Sequence, residues 1–248
     1  MKSCSHLALA ASAVVLLLSL PSPAGADTAG DGVLSQMDAA LTRAKTLQLD
    51  YEIVNVEAGK AERTLAMKTQ VKGEKRLTEF FSPADMKGTK VLVLSPTQTY
   101  VFLPAFGKVR RVASSTRGEG FLGLTFGTDD FVTTRSGGSY GATIAAESGT
   151  EWKLVLTPKA GQTPGYGKIE VTVTKDRKLP TELKYFVDGK NVKTETRSGY
   201  TCEGDVCLPG EQKMTDLVKG SWTKLVRKAL RVNQGIEDDV FSQRRLGE

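Results

Sequence analysis

The ten residues Leu47-Gln48-Leu49-Asp50-Tyr51-Glu52-Ile53-Val54-Asn55-Val56 change character at every step. Leu47, Leu49, Tyr51, Ile53 and Asn55 fall on one side, and Gln48, Asp50, Glu52, Val54 and Val56 on the other. A period of two marks a strand with one buried and one wet face. Ala58-Gly59-Lys60 then turns the chain, and alternation resumes over Thr64 to Val71 and over Lys75 to Phe81. Such runs, joined by short turns, predict an antiparallel meander. Ser82-Pro83-Ala84-Asp85 reads as the loop that ends it.

Upstream of this meander the period changes. Val33, Leu34, Met37, Leu41 and Ala44 recur at three- and four-residue steps, which predicts an amphipathic helix over Asp31 to Lys45 with Asp31 as its cap. Downstream, Lys90 to Leu94 is almost wholly apolar, Thr99 to Leu103 is aromatic and β-branched, and Lys108 to Ala113 alternates basic with apolar. Ser114 to Asp130 breaks the pattern. Gly118, Gly120, Gly123 and Gly127 punctuate Phe121, Leu122, Leu124 and Phe126, a run too flexible for a firm helix and too greasy for open solvent. Strand signals return over 140–147, 151–157, 167–175, 181–188, 192–200, 206–215 and 221–232, with Asp188-Gly189-Lys190 as a hairpin turn. Glu237 to Leu246 reads as a last helical turn or two. The expected class is mainly β (α+β). A sheet of a dozen or so strands must curl, split or close, so a strongly curved antiparallel sheet follows, a barrel or half-barrel with the helix and the insert at its mouth.

The N-terminus reads as a targeting signal. Lys2 supplies the positive charge, Leu7 to Leu20 the apolar stretch, Pro21 and Pro23 its break, and Ala24-Gly25-Ala26 a cleavage site. The apolar run is short of the roughly 20 residues that cross a bilayer. Residues 1–26 are therefore set apart as signal peptide, and 27–248 are read as one domain exported to the periplasm after cleavage near Ala26. The formal charge of +6 becomes +5 once Lys2 is removed. That excess is mild and spread along the chain, without a dense basic block interleaved with aromatics, so nucleic acid is not an expected partner.

Two residue types limit the chemistry. The single histidine, His6, lies in the signal, so the mature chain has no serine–histidine or cysteine–histidine machinery. Cys202 and Cys207 are the two cysteines left. In an oxidising compartment they read as a disulfide across a hairpin tipped by Glu203-Gly204-Asp205, worth ~2 kcal/mol for so small a ring. A thiol-redox site is the rival reading, and four intervening residues with no helix start speak against it. There is no H-E-x-x-H, no Walker loop and no dinucleotide fingerprint. Asp129 and Asp130 are a candidate carboxylate pair, but on a strand they would face opposite ways. No enzyme activity, metal or cofactor is expected.

Binding is better supported. Val91, Leu92, Val93 and Leu94 form a strand apolar on both faces, and next to it Tyr100 and Phe102 share one face while Val101 and Leu103 share the other. One short helix cannot cover the concave side of so large a sheet, so Val91, Leu92, Val93, Leu94, Tyr100 and Phe102, with Phe121, Leu122, Leu124 and Phe126 of the insert, are the candidate lining and lid of an apolar cavity. Burial of an acyl chain yields roughly 0.8 kcal/mol per methylene, so such a cavity needs no specific polar site to hold lipid. Lys108, Arg110 and Arg111 straddle one strand and read either as a solvated face or as a contact with acidic headgroups or an acidic partner protein.

An ordered set of segments also carries a resemblance. Phe80-Phe81-Ser82-Pro83-Ala84-Asp85-Met86-Lys87-Gly88-Thr89, Tyr100-Val101-Phe102-Leu103-Pro104, Lys108-Val109-Arg110-Arg111-Val112, and Gly120-Phe121-Leu122-Gly123 with Asp129-Asp130-Phe131 resemble the LolA-like outer-membrane lipoprotein-sorting proteins. The resemblance is densest from Glu79 to Phe131. It implies an unclosed β-barrel with a lid over an apolar cavity. It also implies a monomeric carrier, a chaperone for lipid or the acyl chains of lipoproteins, working between an inner-membrane exporter and an outer-membrane acceptor. The alternative is a non-transporting accessory or scaffold protein of an envelope exporter complex.

Overall fold

The computed structural model describes residues 28–95, 97–112, 122–127 and 135–247. The expected signal peptide, Phe121 and the Asp129–Asp130 pair lie outside these residues. The chain opens with helix α1 (Thr28–Leu41) and continues through β1 (Thr46–Val56), β2 (Arg63–Lys72), β3 (Lys75–Ser82), β4 (Lys90–Ser95), β5 (Gln98–Leu103) and β6 (Lys108–Arg111). After the insert come β7 (Tyr140–Glu147), β8 (Glu151–Pro158), β9 (Lys168–Thr174), β10 (Pro180–Val187) and β11 (Lys190–Ser198). A small hairpin, β12 (Thr201–Glu203) and β13 (Val206–Leu208), precedes β14 (Glu211–Asp216) and β15 (Ser221–Val232).

Thirteen of these strands form one antiparallel sheet in the order β6-β5-β4-β3-β2-β1-β15-β14-β11-β10-β9-β8-β7. Strands lie about 4.8 Å apart, so a flat sheet of this width would separate its edges by on the order of 55 Å. Yet Val91 and Val101 near one edge share a single buried cluster with Tyr140, Leu154 and Leu156 near the other. The sheet is therefore curled into a barrel that does not close. Its inner face follows the alternation rule: Ile169, Val171 and Val173 on β9 are buried while their neighbours are not. The hairpin turn between β10 and β11 has Asp188 and Gly189 both at positive φ, the pattern of a two-residue turn matched to strand twist.

The helix differs from its expected start. It begins at Thr28, and Asp31 in its first turn does not cap it. The Asp31 carboxylate instead accepts the Ala142 amide of edge strand β7 at 2.7 Å, and Asp38 accepts the amides of Ser136 and Gly137 just before β7 at 3.0 and 2.8 Å. An edge strand has amides left unpaired, and these carboxylates satisfy them. Gly30 permits the approach, since a Cβ there would fall 2.3 Å from the Ala142 carbonyl oxygen. Val33, Leu34 and Met37 then enter the barrel core.

The run expected as one strand over 206–215 is broken at Pro209-Gly210. There the chain leaves the β12–β13 hairpin and joins the main sheet, with Gly210 packed so tightly that a Cβ would lie 2.7 Å from the Gly199 oxygen. The hairpin holds a disulfide between Cys202 and Cys207, which face each other across it with Cα atoms 4.0 Å apart. Cys207 packs with Ala40 and Leu179, and Val206 with Leu47 and Leu49, so the hairpin closes one end of the barrel beside α1.

Candidate functional site

The inner faces of β1 and β2 meet in three successive cross-strand pairs: Leu47 with Val71, Leu49 with Thr69, and Tyr51 with Met67. All six residues border a cavity of about 290 Å³. Leu41 at the end of α1, Leu208 of the hairpin, Leu225 of β15 and Phe126 of the insert complete its apolar wall. Ligand pockets commonly run from about 300 to 1,000 Å³, so this void sits at the lower end of that range.

The insert supplies part of the filling. Leu124 and Phe126 are buried in the barrel core, and Leu122 packs against it. The chain leaves the sheet at one edge strand, β6, and returns at the other, β7, so the insert joins the two lips of the unclosed barrel. The described part of it reaches the floor, where a buried polar group of residues holds it. Asn55 Nδ2 donates to the Gly123 carbonyl at 3.0 Å, the Thr125 amide donates to Thr223 Oγ1 at 2.8 Å, and Lys193 Nζ donates to the Thr125 carbonyl at 3.0 Å. Thr223 Oγ1 in turn donates to Asn55 Oδ1 at 2.5 Å. Leu122 and Gly123 adopt positive φ here. Glycine tolerates this and leucine does so at a cost, so the bend at this point is held by its surroundings.

Several charged groups share the interior. Lys193, Glu195 and Arg197 alternate on β11 and all face inward. Glu195 is 2% exposed, accepts from Arg197 Nε at 2.6 Å and from the Tyr185 hydroxyl at 2.7 Å. Burial works against the Arg197 charge, but Glu195 beside it more than offsets this and the guanidinium's pKa is raised. Arg76 on β3 stands opposite Val71 of β2 and Val93 of β4, also inward. Burial pushes its pKa below the ordinary arginine value, with Tyr51 acting the other way. Tyr51 is held neutral, its pKa raised by burial against the pull of Arg76, Arg227 and Arg197. Arg76, Arg197 and Arg135 all border the cavity, as does Glu74.

The structure divides the expected lining residues between two faces. Val91 joins the barrel core and Val93 is buried on the same face, opposite Arg76. Leu92, Leu94, Tyr100 and Phe102 do not line the interior. They lie on the convex face under Ile236, Val240, Phe241 and Leu246 of the C-terminal segment. The doubly apolar strand is explained by this second cover: the turn Asp238–Phe241 and the short helix Gln243–Leu246 dock on the outside. Of the expected residues that are described, Phe126 borders the cavity itself, whose wall lies two strands over, on β1 and β2. Lys108, Arg110 and Arg111 are exposed at the β6 edge. Arg110 lies over the Phe106 ring, 5.2 Å from its centre, and Arg111 donates to the Thr97 carbonyl at 3.0 Å. Asn55, Thr223, Lys193, Glu195, Arg197 and Arg76 were not singled out by the sequence. Their signal is there all the same, as polar residues on the inward step of alternating strands.

A family model described as an uncharacterized protein matches residues 72–248. The chain belongs to this family, DUF1329-like. Members and relatives share the family fold seen here. The crystal structure of a DUF1329 family protein from Desulfovibrio piger superposes with a TM-score of 0.83 at 24% identity, over 89% of this chain and 99% of that one. A structure from Vibrio parahaemolyticus carrying the name of an outer membrane lipoprotein-sorting protein domain gives 0.80 at 23% identity, over 89% and 99%. A LolA superfamily protein from Nitrosomonas europaea gives 0.72 at 18% identity, over 87% and 98%. A comparison with curated proteins finds no match. The family fold is thus an unclosed barrel of the kind these three structures share.

Proposed function

We propose that this DUF1329-like protein is a periplasmic carrier that takes up lipid, or the acyl chains of lipoproteins, in the cavity walled by β1, β2, β15 and Phe126, and passes them between envelope membranes. The observation that carries the reading is an incompletely filled interior, apolar along β1, β2 and β15, whose plug, the 122–127 segment, belongs to a connection between the two lips of the barrel. A ligand chain entering there replaces the insert's own apolar side chains, and the barrel wall stays intact. At roughly 0.8 kcal/mol per buried methylene, hydrophobic burial supplies the affinity without catalysis or cofactor. Export by the N-terminal signal brings the protein to that cargo, and the exposed Lys108, Arg110 and Arg111 form a contact for acidic headgroups or an acidic exporter or acceptor. Native mass spectrometry of protein purified from its own periplasm is the direct test. A bound lipid mass, removed by solvent and restored by adding a 16-carbon acyl ligand, supports the carrier. Protein that arrives empty and takes up no acyl ligand after solvent extraction points instead to an accessory or scaffold role.

A further inference from the structure

The cavity has an apolar side, walled by Leu47, Leu49, Met67 and Val71, and a polar side that carries a cluster of donors. Arg76 and Tyr51 both border it. Among the described residues, neither side chain has a hydrogen bond or an ion pair. The polar neighbours that stand nearest on the strands are satisfied elsewhere. Thr69 and Thr78 hydrogen-bond each other at 3.0 Å, and Arg197 is taken by Glu195. Arg135 is exposed and acts electrostatically on Asp38. Glu74, the acidic residue of the wall, is exposed in the turn between β2 and β3. What remains, beside Gln212, is a guanidinium with five N–H donors and a phenol hydroxyl, and neither is hydrogen-bonded among the described residues.

A partly buried cation without a counter-ion is costly, and an incoming anion relieves that cost. Guanidinium matches a carboxylate or phosphate with two parallel hydrogen bonds, and the phenol adds a third donor. We infer that the ligand of this cavity is an anionic amphiphile, its carboxylate or phosphate head held by Arg76 and Tyr51 and its chain lying along Leu47, Leu49, Met67 and Val71. The inference rests on the carrier reading and narrows it. An acyl chain joined to a protein through ester or amide links offers no anion to Arg76, whereas a free fatty acid or an acidic lipid does. The lowered pKa of Arg76 is in keeping with a charge that lacks its partner.

The test compares palmitate, its methyl ester and hexadecyl phosphate as competitors for one fluorescent acyl probe, on wild type and on Arg76→Met and Arg76→Lys variants, with inorganic phosphate as a chain-free control. Wild type should bind the acid and the alkyl phosphate at least about ten-fold tighter than the ester, the scale of a charge-assisted hydrogen bond. Arg76→Met should lose this preference while keeping ester binding and thermal stability, and Arg76→Lys should recover part of it. Inorganic phosphate at millimolar concentration should not compete, because the head alone lacks the buried chain. Equal binding of acid and ester by wild type overturns the inference and leaves the carrier intact, whereas no binding of any chain removes the carrier reading itself. Phosphate competing as well as the alkyl phosphate, or an Arg76→Met protein that unfolds early and loses the ester too, also overturns it, since Arg76 would then be a surface anion site or a structural group.

Discussion

Phe126 is where the plug meets the void, so Phe126→Ala tests whether the insert and the ligand compete. The side chain is 4% exposed and packs in the barrel core, while also bordering the cavity. Truncating a core phenylalanine costs about 3–5 kcal/mol. One side of this ring already faces unfilled space and forgoes contacts there, so the lower end, about 3 kcal/mol, is expected. The fitting control is Leu156→Ala on β8, in the same core and fully buried, but not part of the cavity wall. Urea unfolding without ligand should show losses of about 3 kcal/mol for both variants. With a 16-carbon ligand they should part. Room for about two more methylenes adds about 1.6 kcal/mol, so Phe126→Ala should bind about fifteen-fold tighter than wild type and regain much of its stability in saturating ligand. Leu156→Ala should bind as wild type does. If the two variants respond alike, or Phe126→Ala binds more weakly, then the ring is ordinary core and the insert is no competitor for the cavity.

The buried polar group that holds the insert should fail as a unit. Thr223→Val leaves the Thr125 amide and Asn55 Oδ1 without partners, at about 1–3 kcal/mol each, and hydrogen exchange at 122–127 should accelerate by at least about five-fold while the β8–β9 amides change little. Asp38 has its pKa raised above the ordinary carboxylate value by burial, with the Gly137 and Ser136 amides opposing. Its folded pKa therefore exceeds its unfolded one, so its protonated form contributes stability that is fully present below 3.8 and is lost as pH rises through the raised folded value. Asp38→Asn should accordingly gain stability relative to wild type as pH rises from 3 to 6, measured by urea midpoints, with an equal offset at every pH as the contrary result. Affinity should depend on chain length with a threshold. Displacing Leu124 and Phe126 forfeits about 3–6 kcal/mol, which about four to eight methylenes must first offset, after which each further methylene adds about four-fold.

Much of the architecture was legible because the inner face of a curled sheet still obeys a period of two. The alternation from Leu47 to Val56 placed β1 correctly, and the same rule marked β9 and the hairpin at Asp188-Gly189. Two things were hidden. A strand apolar on both sides, such as Val91 to Leu94, states that both faces are covered but not by what, and the cover on the convex side comes from residues 236–246, more than a hundred positions later. The second was the meaning of polar residues on inward steps. Asn55 looks like an imperfection at the end of an apolar face, and Lys193, Glu195 and Arg197 look like a solvated strand. Asn55 and Lys193 become intelligible through partners distant in sequence, Gly123 and Thr223 for Asn55 and Thr125 for Lys193, whereas Glu195 and Arg197 pair with each other along one strand. Local pattern records which face a residue occupies. It does not record which distant segment comes to lie on that face.

The topology gives the insert an unusual amount of influence over the barrel. Its ends are fixed to β6 and β7, the two edges, and its Gly123–Thr125 stretch is bonded to β1, β15 and β11, near the middle of the strand order. The floor contacts and both lips thus belong to one continuous stretch of chain. Among the described residues no hydrogen-bonded strand pair spans the lips, while β7 and the turn before it are also held by Asp31 and Asp38 of α1. The insert's described share of the resistance to opening comes from Leu124, Phe126 and one buried polar group, a few kcal/mol in all. On the proposed carrier reading, that is the range a single acyl chain would supply on entry. A sheet sealed by a fourteenth strand would hold its contents more firmly and would have no comparable way to let them go.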